Sequence, residues 1–104
     1  MTIDTIDLEG IGAIARVYEI HDQGHRIFGF SPDFRFEFEA ELMDRPFARG
    51  LRRGRLARLD VVKTGTSWST PISQFCGRWT QLPPDDVRPF VAALVAGIAE
   101  NTPT

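Results

Sequence analysis

The sequence predicts an α+β fold in which an antiparallel sheet of four to five strands packs against one C-terminal helix. Apolar residues alternate with charged ones from Phe34 to Leu42, whereas they recur every three or four residues from Val87 to Ile98. The first period is typical of a strand with one buried face, and the second of a helix with one buried stripe. The chain has 104 residues, of which 42% are hydrophobic and 25% charged, so we expect residues 1–104 to form a single domain around one core.

The first predicted element is a β-hairpin. Residues 11–20 are rich in apolar and β-branched side chains, residues 22–24 read Asp-Gln-Gly, and residues 26–30 resume an apolar pattern. An Asp-Gln-Gly segment between two such runs favours a tight turn. Residues 31–33 read Ser-Pro-Asp and predict a second turn, which leads into the strand of residues 34–42.

The second half of the chain adds a fourth and a fifth strand. Residues 56–63 alternate between apolar and charged side chains, and Gly65 favours a turn after them. Residues 68–82 are less regular. Because Pro71 has no N–H to donate to a neighbouring strand, we interpret this segment as one interrupted strand.

The C-terminal helix is predicted to begin after Asp85 or Asp86 and to end near residue 100 or 101. Either carboxylate can accept hydrogen bonds from the first helical N–H groups and lies at the positive end of the helix dipole. Pro89 is compatible with the first turn, where its missing N–H removes no hydrogen bond within the helix.

The outward side of this helix carries small residues where charged ones are usual. Ala92, Ala93, Ala96 and Gly97 would allow a second backbone to approach closely. The sequence therefore offers a homodimer interface at Ala92 and Ala96, with a sheet edge as the other possible dimer surface. The simpler interpretation is that alanine serves helix propensity.

The sequence predicts no enzyme, metal or cofactor site. Cys76 follows Phe75 in a predicted strand, where a small buried side chain is the usual role of a free cysteine. His21 and His25 flank the first turn without the further cysteine or carboxylate spacing of a metal site, so we interpret both as solvent-facing. Three glutamates of the strand 34–42 share its outer face, where water keeps a carboxylate unsuited to acid–base catalysis.

Residues 45–58 form a basic insert in an acidic chain. They read RPFARGLRRGRLAR, with six arginines and no acidic residue, although the formal net charge of the chain is −2. Residues 1–44 hold ten acidic residues against three arginines. A net charge conceals such opposed segments. The insert is therefore the strongest indication of function in the sequence.

One interpretation of the insert is internal neutralisation. If the strands that flank it are antiparallel neighbours, the acidic row faces three arginines, with Glu37 opposite Arg58, Glu39 opposite Arg55 and Glu41 opposite Arg53. Opposite charges across neighbouring strands contribute roughly 0.2–1 kcal/mol per pair. This leaves the arginines nearer the tip of the insert unexplained.

The other interpretation is that the insert binds an anionic partner. Arginine offers a planar fork of donors that matches phosphate, Gly50 and Gly54 make the loop pliable, and Phe47 could stack on an unpaired base. The candidate binding residues are Arg45, Phe47, Arg49, Arg52, Arg53 and Arg55. Trp68 and Trp79 could also stack on bases if they face outward, and core packing is the alternative for both.

The expected function is that of a non-enzymatic binding domain. Because binding to duplex DNA usually needs a broad positive face, the acidic remainder favours single-stranded nucleic acid or a nucleic-acid complex. The alternative is a small regulator or inhibitor that docks on another protein, similar in size and acidity to phage and plasmid inhibitors such as anti-CRISPR proteins. A lone cysteine and the absence of a secretion-signal pattern indicate a cytoplasmic location, and the longest apolar stretch is about half of a membrane span.

The C-terminal third carries one family resemblance. Residues 79–86 read WTQLPPDD and precede the amphipathic helix. A final strand, a proline and an acidic helix start resemble the end of the single-strand-binding domains of a transcriptional coactivator family, which are dimeric sheets followed by a helix. The resemblance covers residues 68–100 and implies no particular binding residue.

Overall fold

A computed structural model describes residues 5–8, 12–21, 23–31 and 35–101 of the chain. Within these residues the strands are β1 (Thr5–Leu8), β2 (Ala13–His21), β3 (Gly24–Ser31), β4 (Phe36–Met43), β5 (Leu56–Lys63), β6 (Ser73–Cys76) and β7 (Trp79–Gln81), and the helix is α1 (Arg88–Asn101). The α+β class is confirmed, with an antiparallel sheet and a C-terminal helix. Of the turn predicted over residues 31–33, Ser31 is the last residue of β3, and residues 32 and 33 lie outside the described residues.

The strands follow one another through the sheet in chain order. Each strand pairs antiparallel with the next, so the described part of the chain forms a seven-stranded meander from β1 to β7. The predicted number of four to five strands is too low for two reasons. Strand β1 was not predicted, and the segment predicted as one interrupted strand is two short strands joined by a tight turn at Gly77, whose φ is +70°.

The alternation in β4 divides the sheet into an inner and an outer face. Phe38, Ala40 and Leu42 are fully buried, whereas the glutamates between them are partly exposed. Leu59 and Val61 of β5 lie on the same inner face, because Ala40 pairs with Leu59 and Phe38 with Val61. The predicted period of two is therefore confirmed in β4 and continues across the β4–β5 pair.

Helix α1 covers the inner face of the sheet. Its stripe of Val91, Leu94 and Ile98 is buried in the same core cluster as Phe38 and Leu59. Pro89 is the second residue of the helix and lies in its first turn, as expected. Over the residues that the structure describes, no helix combines the length and apolar character needed to cross a membrane.

Candidate anion-binding surface

The loop between β4 and β5 has a defined backbone. Phe47 N–H donates to the Gly54 carbonyl at 3.2 Å, Gly50 N–H to the Phe47 carbonyl at 3.0 Å, and Arg53 N–H to the Gly50 carbonyl at 2.8 Å. Residues 51–53 form a short 3₁₀ turn inside this frame. The backbone groups of the loop therefore bond to one another, and the pliability expected from Gly50 and Gly54 stays a prediction.

Gly50 shows why glycine occurs in the loop. Gly50 is buried, and a Cβ added to it would overlap the Gly54 carbonyl oxygen and lie 3.2 Å from Cε1 of Phe47. Arg52 and Arg53 have φ values of 55° and 58°, in the left-handed region. Close backbone approach at Gly50 and the two left-handed residues thus fold the loop sharply.

Arg58 neutralises the acidic row from within the sheet. Its guanidinium donates to Glu39 Oε1 at 3.0 Å and also pairs with the carboxylate of Asp60. Burial lowers the pKa of Arg58, but the hydrogen bond with Glu39 and the negative charge of Asp60 outweigh it, so the pKa is raised. Internal neutralisation is thus real for this arginine.

All three predicted cross-strand pairs are wrong, since Glu37 lies opposite Val62 rather than Arg58. Glu41 lies opposite Arg58, and a register shift between Glu41 and Leu42 brings Leu42 opposite Leu56. Arg53 lies in the 3₁₀ turn rather than on a strand.

Arg55 precedes β5, and its Nε donates to the Met43 carbonyl at 2.8 Å. Arg55 therefore holds the base of the loop. Glu41 instead has Arg26 of β3 as a neighbour, with Nε 4.0 Å from Oε2.

Four loop arginines remain exposed, and no acidic side chain among the described residues forms an ion pair with them: Arg45, Arg49, Arg52 and Arg53. Because a guanidinium is always charged at physiological pH, these side chains present positive charge to the solvent.

The structure divides the candidate residues between three places. Arg45 and Phe47 line an open depression beside Gln23, on the side of the β2–β3 turn. Arg49 lies against the β6–β7 turn, where a Cβ on Gly77 would be 3.8 Å from its Cδ. Arg52 lines a groove beside α1.

Arg78 joins these arginines in the fold, and the sequence did not predict it as a site residue. Arg78 is exposed and follows Gly77, whose N–H donates to the Ala57 carbonyl at 3.3 Å. The β6–β7 turn is thereby held next to the start of β5 and next to Arg49. We call Arg49, Arg52, Arg53 and Arg78 the basic surface.

A groove of about 190 Å³ adjoins the basic surface. It lies between the 3₁₀ turn, the segment from Trp79 to Pro83 and helix α1, and Arg52 and Arg88 line it together with apolar side chains. Trp79 is half-buried, and its ring contacts that of Phe75 at a centroid distance of 5.3 Å. Trp79 therefore belongs partly to the core and partly to this groove.

Ala92 and Ala96 are both exposed on α1, and of the two only Ala92 lines the groove. The homodimer interface at these residues stays a prediction. A second copy packed on Ala92 would close the groove, so the two uses of this face exclude each other.

A second feature lies on the outer face of the sheet. Among the described residues, Ile14, Phe28, Phe30 and Trp68 are four of the five exposed large hydrophobic side chains. Ile14 pairs with Phe30, and the rings of Phe28 and Trp68 have centroids 6.1 Å apart. Trp68 is thus a surface residue, and this apolar patch was not predicted from the sequence.

Two expectations about potential ligand residues are wrong. Cys76 is exposed rather than buried, because it lies opposite Arg58 on the outer face while Phe75 points to the core. His25 is not solvent-facing, since its side chain is 12% exposed and its Nδ1 lies 3.7 Å from Asp44 Oδ1. Within the described ranges, no three histidine, cysteine or carboxylate side chains are grouped as a metal site requires.

No family model matches the chain, and neither the curated proteins nor the solved structures include a match to it.

Proposed function

We propose that this protein binds single-stranded nucleic acid through the basic surface. The observation that carries the proposal is the exposure of Arg49, Arg52 and Arg53, which have no ion-pair partner among the acidic residues of the described chain. Arg58 and Arg26 form ion pairs with glutamates of the acidic row instead. The loop therefore presents positive charge that no acidic side chain of the described residues neutralises.

The size and chemistry of the surface favour a single strand. A guanidinium donates two parallel hydrogen bonds to a phosphate, and several guanidinium groups on one surface can contact different phosphates of a flexible single strand. The surface is confined to one loop and one turn, while the outer face of the sheet carries Glu37, Glu39 and Glu41. Duplex DNA, which demands a broad positive face, would approach these carboxylates.

A charge-matched titration tests the proposal. The variant with Arg49→Glu, Arg52→Glu and Arg53→Glu should lose most of its affinity for a labelled single-stranded oligonucleotide at low salt. A control with Arg16→Glu, Arg35→Glu and Lys63→Glu has the same net charge, changes three exposed side chains elsewhere, and should bind nearly as the wild type does. Equal affinities for the two variants, or a folded wild type that binds no oligonucleotide, would refute the proposal.

The second candidate function is a small regulator that docks on another protein. The apolar patch of Ile14, Phe28, Phe30 and Trp68 favours it, because exposed clusters of large hydrophobic side chains frequently mark interaction surfaces. Replacing Phe28 and Phe30 by serine would abolish such docking and leave oligonucleotide binding by the basic surface intact. Measuring both partner docking and oligonucleotide binding for this variant therefore distinguishes the two functions.

The expected homodimer at Ala92 and Ala96 is an alternative use of the α1 face and has its own test. If two copies pack through helix α1, Ala96→Arg should convert a sedimenting dimer into a monomer. A wild type that sediments as a monomer at all concentrations would refute the homodimer.

A further inference from the structure

We infer that the groove beside α1 receives one unpaired base of the strand that the basic surface holds. The inference rests on the proposed function and adds to it a site for the base. It comes from the position of the groove, because Arg52 belongs both to the basic surface and to the groove lining. A strand whose phosphates contact the loop therefore passes the groove entrance.

The volume of the groove matches one flat ring. It is about 190 Å³, whereas pockets for drug-sized ligands usually reach about 300–1,000 Å³. An apolar cavity of about 150 Å³ is enough for a benzene molecule. The groove is therefore large enough for one base and too small for a folded segment of chain.

The groove offers an aromatic wall that is fixed in place. Trp79 is held by the Phe75 ring at an interplanar angle of 67° and does not need to be ordered on binding. Leu82, which also lines the groove, is 66% exposed, the highest value among the exposed large hydrophobic side chains of the described residues. A base in the groove would cover apolar surface that the folded chain leaves in contact with water.

The charges at the groove fit the phosphates on either side of a base. Arg52 and Arg88 both line the groove. Arg88 Nη2 pairs with Asp85 Oδ1 at 2.8 Å, but the two side chains are 62% and 92% exposed. Such an exposed pair contributes little, so a phosphate can replace Asp85 as the partner of Arg88.

The intrinsic fluorescence of the protein can report on the groove alone. The chain has two tryptophans, so Trp68→Phe leaves only Trp79, and Trp79→Phe leaves only Trp68 on the far side of the sheet. A thymidine oligonucleotide of about 12 nucleotides should quench the emission of the Trp68→Phe variant on binding. The Trp79→Phe variant is the matched control, and its emission should not change.

Removing the bases tests whether a base is needed. An abasic strand of the same length keeps the phosphates, and we expect it to bind the wild type at least about fivefold more weakly than the thymidine strand. Ala92→Leu, which fills the groove, should abolish this difference. Ala96→Leu, one turn along the same exposed side of the helix, should preserve it.

The outcomes of these experiments distinguish failure of the inference from failure of the proposed function. Equal affinity for the thymidine and abasic strands, with unchanged Trp79 emission, would overturn the inference and leave phosphate binding by the basic surface intact. Failure of both strands to bind would overturn the proposed function and the inference with it. If Ala92→Leu and Ala96→Leu act alike and both shift the sedimentation of the protein, a second copy of the chain occupies this face instead.

Discussion

The guanidinium of Arg58 on β5 donates to the carboxylate of Glu39 on β4 at a distance of 3.0 Å. The same guanidinium pairs with Asp60, so one side chain of the sheet serves two carboxylates. Charged groups on the half-buried face of a sheet are thereby compensated locally. The arginines of the loop between β4 and β5 are therefore not required to neutralise these two carboxylates.

Arg58→Ala is expected to destabilise the fold by about 2 kcal/mol, because it leaves two partly buried carboxylates without their charged donor. Arg58→Lys should recover part of the loss, since a single ammonium replaces the fork that reaches both carboxylates. Chemical denaturation measures both effects. Arg16→Ala, on the exposed outer face, is the control and should change the free energy of unfolding by less than about 0.5 kcal/mol.

The contribution of Arg58 should be independent of pH near neutrality. A basic group whose pKa is raised by folding stabilises the folded state below its unfolded pKa and loses this contribution only as the pH rises through the folded value. The pKa of Arg58 in the fold is raised above the ordinary arginine value, which itself lies far above neutrality. The stability difference between wild type and Arg58→Ala should therefore be constant from about pH 6 to 9, and a steady decline over this range would contradict the assigned contacts.

Gly50→Ala should open the loop frame. The added methyl group would overlap the Gly54 carbonyl, and we expect a loss of about 1–3 kcal/mol together with weaker oligonucleotide binding. Gly54→Ala is a milder change, because its Cβ would lie 3.1 Å from the Leu51 carbonyl oxygen. Thermal unfolding of the two variants provides the comparison, and a larger loss for Gly54→Ala would show that the loop has another backbone conformation.

Cys76 should react with a thiol reagent in the folded protein. Its side chain is exposed on the outer face, so the native protein should be modified at a rate within about tenfold of that of the unfolded chain. Protection by several orders of magnitude would place Cys76 in the core and reverse the faces of β6.

The regular elements could be predicted because their pattern is local. The two-residue period of β4 and the stripe of α1 each require only the order of neighbouring residues. The four residues of β1 are too few to establish a period, and the tight turn at Gly77 divides a segment that Pro71 alone led us to treat as one strand.

The candidate site could be predicted only in part. Its charge is a property of composition, whereas its arrangement depends on long-range geometry. The register shift beside Leu42 decides which arginine faces the acidic row. Arg78 and Arg88 join the loop arginines through the meander and the packing of the helix, neither of which leaves a signal near these residues in the sequence.

The salt dependence of oligonucleotide binding tests the central claim most directly, which is that the loop arginines are available to phosphates. For a single strand, the logarithm of the binding constant falls against the logarithm of salt concentration with a slope of about −0.7 per phosphate contact. Four contacts from the basic surface predict a slope of about −3 for the wild type, and loss of Arg49, Arg52 and Arg53 should reduce its magnitude by about 2. An identical slope in the wild type and the triple variant would contradict the account.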